Sequence, residues 1–98
     1  MTEVIITSAA ERGFTDSLCW YAERDLNAAD DFDREFQRIV SELQVDPAIF
    51  PRYDEPYRFI LIRRFPFRVI FRIDEASVIV MAVAHGSRSP DFWRERAE

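Results

Sequence analysis

Three short apolar runs decide the fold: Tyr57-Arg58-Phe59-Ile60-Leu61-Ile62-Arg63, then Phe67-Arg68-Val69-Ile70-Phe71-Arg72-Ile73, then Ser77-Val78-Ile79-Val80-Met81-Ala82-Val83-Ala84-His85. Each is rich in β-branched or aromatic residues and bounded by a breaker, which favours strand over helix. The connectors Arg64-Phe65-Pro66 and Asp74-Glu75-Ala76 are short enough only for antiparallel neighbours. The spacing therefore predicts a three-stranded meander. In its middle strand a period of two puts Phe67, Val69, Phe71 and Ile73 on one face and Arg68, Ile70 and Arg72 on the other. The third run alternates Val78, Val80, Ala82 and Ala84 against Ile79, Met81, Val83 and His85, all apolar but the last, as in a strand covered on both faces and flanked within the sheet.

Working outward, Ala48 to Pro56 carries two prolines directly after Pro47 and reads as an ordered loop into the meander. Before it, Phe32, Phe36, Ile39, Val40 and Leu43 form a helical stripe that should lie on the sheet, ended by Asp46-Pro47. Asn27 is its expected N-cap, followed by acids at Asp30, Asp31 and Asp33. An earlier helix is predicted from Ser8-Ala9-Ala10-Glu11, a capping-box pattern with Ser8 as the cap, with Ala10, Phe14, Leu18, Tyr21 and Ala22 on one face. Gly13 should weaken it slightly. Glu3 to Thr7 reads as an opening strand at a sheet edge, its direction open. After His85, Ser89-Pro90 suits the start of a short terminal helix through Trp93. The expected fold is α+β in the order β-α-α-β-β-β, a helical hairpin on a mainly antiparallel four-stranded sheet with a short C-terminal helix, all one domain over residues 1–98.

At 98 residues the chain can bury a core without the metal or disulfide staples needed near ~40 residues. One cysteine, Cys19, permits no internal disulfide. With no leader-like start and no apolar run near the ~18 residues of a membrane helix, a cytoplasmic protein is expected. Net charge is −5 but unevenly divided: Met1 to Pro56 holds 5 Arg against 13 acids, a balance of −8, and Tyr57 to Glu98 holds 8 Arg against 5 acids, a balance of +3. Every positive side chain is arginine, suited to carboxylate, phosphate and aromatic contacts. The acidic total argues against a protein that coats nucleic acid and favours a local anionic contact on the sheet half.

Among these arginines, Arg68 and Arg72 share a face about 13 Å apart and could grip an acidic segment; Arg58 and Arg64 read as a solvated face. A lone His85 with no second histidine or cysteine cluster points to a structural group, and no metal or cofactor is expected. Arg88 and Trp93 are residue types that anchor interfaces, with packing of the Trp93 ring on the sheet as the alternative role for that residue. Cys19 reads as core or interface filling, and the acids from Asp30 to Glu35 as helix-start charges.

Trp20-Tyr21-Ala22-Glu23-Arg24, Phe65-Pro66-Phe67-Arg68-Val69-Ile70-Phe71-Arg72-Ile73 and Ala82-Val83-Ala84-His85-Gly86-Ser87-Arg88-Ser89-Pro90 with Trp93 together resemble the RelE/ParE superfamily of toxins from type II toxin–antitoxin systems, over nearly the whole chain. The resemblance implies the same β-α-α-β-β-β order, a hetero-oligomer with a cognate antitoxin that blocks the toxin, and a role in growth inhibition or plasmid stabilisation. Superfamily members act either on DNA gyrase, as ParE-like toxins do, or as ribosome-dependent nucleases of messenger RNA, as RelE-like toxins do. The nucleases use basic residues on the sheet and a C-terminal tyrosine or histidine, which would give Arg68, His85 and Arg88 catalytic roles here. Phe59, Leu61 and Gly86 stand where some nucleases are basic, so the ParE-like branch is favoured. Arg63, Arg68, Arg72, Arg88 and Trp93 are then the expected antitoxin or target contacts. A family member that has lost toxicity and keeps only antitoxin binding is the remaining reading.

Overall fold

The computed structural model describes residues 2–50, 52–54 and 56–86. Strand β1 (Glu3–Ile6) is followed by helices α1 (Ser8–Ala22) and α2 (Leu26–Val45), a 3-10 turn at Pro47–Ile49, and strands β2 (Arg52–Asp54), β3 (Tyr57–Leu61), β4 (Phe67–Asp74) and β5 (Ser77–His85). The sheet order is β1-β5-β4-β3-β2. The meander is present as expected, with β3 antiparallel to β4 and β4 to β5. The opening strand lies at the edge and runs parallel to β5, Val4 opposite Val78. The proline-rich connector is not only loop: its short strand β2 extends the expected four strands to five.

Both helix starts differ from the sequence expectation. The N-cap of α1 is Thr7, whose Oγ1 accepts from the Ala10 N–H at 3.1 Å. The same hydroxyl reaches the Val80 carbonyl at 3.0 Å and that of Met81 at 3.3 Å, so a sheet anchor and a helix cap coincide in one side chain that Ser8 has no position to replace. In α2 the cap is Asp25, not Asn27; its carboxylate accepts the Asn27 N–H at 2.9 Å. Aspartate satisfies the orphan donor as well as asparagine would, two residues earlier.

The helical hairpin covers one face of the sheet. Phe32, Phe36, Ile39 and Leu43 of α2 and Ala10 of α1 are buried against Ile60, Phe67, Val69, Phe71, Val78, Val80 and Val83. The Phe32 ring lies 5.2 to 5.6 Å from those of Phe14, Tyr21, Phe65 and Phe67. Full burial of such a side chain contributes about 1.5–3 kcal/mol. Helix α1 approaches β5 so closely that a Cβ on Gly13 would stand 2.5 Å from the Val83 carbonyl oxygen. The glycine is thus a packing requirement.

The alternation expected along β5 breaks at one place. Ile70 faces Ala82 and Phe71 faces Val80, leaving Met81 as the extra residue of a bulge. Val78, Val80 and Val83 therefore all belong to the helix-side core, while Met81 and Ala82 join Ile70 in a second cluster with Tyr57, Phe59 and Ile79 on the other face. Ala82 accordingly departs from the face expected for Val78 and Val80.

Candidate functional site

Arg68 and Arg72 lie where the strand period puts them, on the face of β4 turned away from the helices. Arg68 is opposite Leu61 and Ala84, and Arg72 opposite Tyr57 and Ile79. Directly opposed residues share a face, so the two arginines are set among Tyr57, Phe59, Leu61, Ile70, Met81 and Ala82. The Arg68 guanidinium carbon is 5.7 Å from the centre of the Phe59 ring, and Arg72 Nη1 is 3.9 Å from the Met81 sulfur. Leu61, 60% exposed, continues this apolar and cationic surface to the end of β3.

His85 lies on the opposite face. It is paired with Phe67, a helix-side core residue, and the two rings meet edge to face at 5.1 Å. Arg68, the next residue along β4, points the other way. The structure thus puts Arg68 and Arg72 on one face of the sheet and His85 on the other. Arg63 is exposed in the turn after β3, off the strand face. Arg88 and Trp93 lie outside the described residues, as does the expected terminal helix.

Of the arginines read as solvated, Arg58 instead clasps the connector, donating to the Phe50 carbonyl at 2.9 Å. Arg64 is exposed and 3.9 Å from Asp31. Cys19 is exposed on α1, not part of the core. Among the described residues no group of three or more His, Cys, Asp or Glu side chains could hold a metal ion, and no helix is long and apolar enough to cross a membrane.

On the helix side, a cleft of about 340 Å³ opens between α1 and the sheet, lined by Asp16, Ser17, Trp20, Tyr21, Pro66, Phe67 and His85. Trp20 is 52% exposed there. Burial pushes the Tyr21 phenol above its ordinary range, which keeps the hydroxyl protonated. This cleft was not read from the sequence, although a tryptophan set off the apolar stripe of α1 is the sign that could have pointed to it.

The fold recurs in solved toxins. The chromosomal ParDE toxin–antitoxin system from P. aeruginosa matches with a TM-score of 0.75 and 18% identity, over 87% of this chain and 96% of that one. The YoeB dimer from Staphylococcus aureus matches at 0.60 with 8% identity, covering 86% and 95%. The isolated E. coli RelE toxin matches at 0.56 with 17% identity, covering 98% and 96%. No curated protein matches the sequence. A family model described as the ParE toxin of the type II toxin–antitoxin system parDE matches residues 4–90, from the first strand past the end of β5. The chain belongs to the ParE toxin family of type II toxin–antitoxin systems.

Proposed function

We propose that this toxin is held inactive by a cognate antitoxin and, when released, stops growth by binding DNA gyrase and not by cutting messages. The observation that carries the choice is the separation of Arg68 from His85 across the sheet. A nuclease that moves a proton while stabilising a phosphate needs both groups within hydrogen-bond reach of one substrate. Here the histidine packs on Phe67 beside α1, and the arginines face away among aliphatic and aromatic side chains.

The face that carries Arg68 and Arg72 suits a protein segment of alternating apolar and acidic residues, with guanidinium–carboxylate pairs added to apolar burial. Arg63, Arg88 and Trp93 extend the proposed contact. The P. aeruginosa ParDE system and the Staphylococcus aureus YoeB–YefM complex are two-component assemblies, and the same partnership is proposed here.

Expression of the chain alone in a bacterium tests the reading. Growth arrest with a DNA-damage response and intact messages is expected. Arrest accompanied by codon-positioned cuts in messages would replace it with the ribosome-dependent nuclease, and unimpaired growth would leave a family member that only binds its antitoxin.

A further inference from the structure

Core packing does not account for Trp20. The residue sits on α1 with half of its surface exposed and forms one wall of the cleft between that helix and the sheet. From Trp20 the wall continues ring by ring. Tyr21 meets Trp20 at 5.1 Å and 87°, Phe67 meets Tyr21 at 6.3 Å and 63°, and His85 meets Phe67 at 5.1 Å and 79°. Each ring meets the one before edge to face.

The polar groups of the cleft are largely of one kind. Ser17 donates its hydroxyl hydrogen to the Gly13 carbonyl at 2.8 Å, which leaves its oxygen as an acceptor. The Asp16 carboxylate is exposed at the rim and makes no hydrogen bond or ion pair among the described residues. The faces of Trp20, Tyr21 and Phe67 carry negative charge density, so these rings, the Ser17 oxygen and the Asp16 carboxylate favour a cation. The half of the chain that builds α1 has a balance of −8, which extends the preference outward. A planar guanidinium satisfies both the stacking surface and the carboxylate. Arg24 lies over this indole, its guanidinium carbon 3.8 Å from the ring centre and its Nη1 donating to the Trp20 carbonyl at 2.8 Å, so the ring accommodates a group of this kind. Among the described residues no arginine lines the cleft to receive the carboxylate of a free amino acid, which favours a guanidinium supplied by a polypeptide.

We propose that this cleft is a recognition pocket for an arginine side chain presented by a partner protein, with Asp16 as the counter-ion and Trp20 as the stacking surface. The inference does not depend on which cellular target the toxin has. The test is a titration of the isotope-labelled full chain with N-acetyl-argininamide, followed by NMR, beside N-acetyl-citrullinamide, which has nearly the same shape without the charge, and free L-arginine. Saturable shifts at the Trp20 indole N–H and the Ser17 amide are expected, with binding about tenfold weaker for the citrulline compound and for Asp16→Asn and Trp20→Ala. Asp16 is exposed, so Asp16→Asn reports on the pocket even where Trp20→Ala disturbs the helix. An equal response to the citrulline compound, shifts centred elsewhere, unchanged binding by Asp16→Asn or no saturable response would each overturn the proposal. Tighter binding of free L-arginine would make the cleft a small-molecule site and overturn it equally.

Discussion

Replacing a helical glycine by alanine ordinarily strengthens a helix by about 1 kcal/mol, but at Gly13 the opposite is expected. The added methyl would meet the Val83 carbonyl oxygen at 2.5 Å, and a backbone carbonyl within a sheet has little room to retreat. Gly13→Ala should therefore lower stability by about 1–3 kcal/mol, read from denaturant midpoints at unchanged slope. Nothing in the residues around Gly13 reveals this role. Local pattern reports what a glycine does to its own helix, whereas the demand comes from a strand 70 residues later. Trp20 and Asp16 were hidden for a related reason: their significance lies in facing Phe67 and His85, which periodicity along α1 does not contain. Arg68 and Arg72 were legible because two positions on one strand necessarily share a face.

At the level of elements, the turns carry two residues in the left-handed region. Arg64 has φ 70° in the β3–β4 connection, where the Phe65 N–H donates to the Ile62 carbonyl, and Glu75 has φ 50° between β4 and β5. A side chain in this region costs about 1–2 kcal/mol, partly offset in a glycine by greater freedom of the unfolded chain. Glu75→Gly, which touches no core residue, should raise stability by about 0.5–1 kcal/mol, visible as a higher melting temperature. An unchanged or lower value would mean that Glu75 has compensating contacts. The strand and helix bodies were readable because breakers and stripes mark them. The bulge at Met81 was not, since every residue from Val80 to Ala84 is buried and alternation carries no contrast there. The caps were misread by one or two positions because Thr7 and Ser8, or Asp25 and Asn27, are chemically equivalent as acceptors.

For the whole molecule, the arrangement of the two faces makes a quantitative prediction about toxicity. Arg68→Ala and His85→Ala should affect growth inhibition independently, so that the double variant shows the product of the two single effects. Residues of one catalytic site behave otherwise, with the double variant hardly worse than the more damaging single one, and that outcome would restore the nuclease reading. A consequence for biosynthesis follows from the parallel pairing of β1 with β5, which joins the first strand to the last one described. A nascent chain carries β1 and both helices long before it holds the strand on which β1 pairs, Thr7 hydrogen-bonds and Gly13 rests. An incomplete chain thus lacks the strand on which its first strand and first helix close. Ribosome-bound chains of stepwise length should gain resistance to protease only once β5 has emerged, and resistance acquired earlier would show that the helical hairpin folds without it.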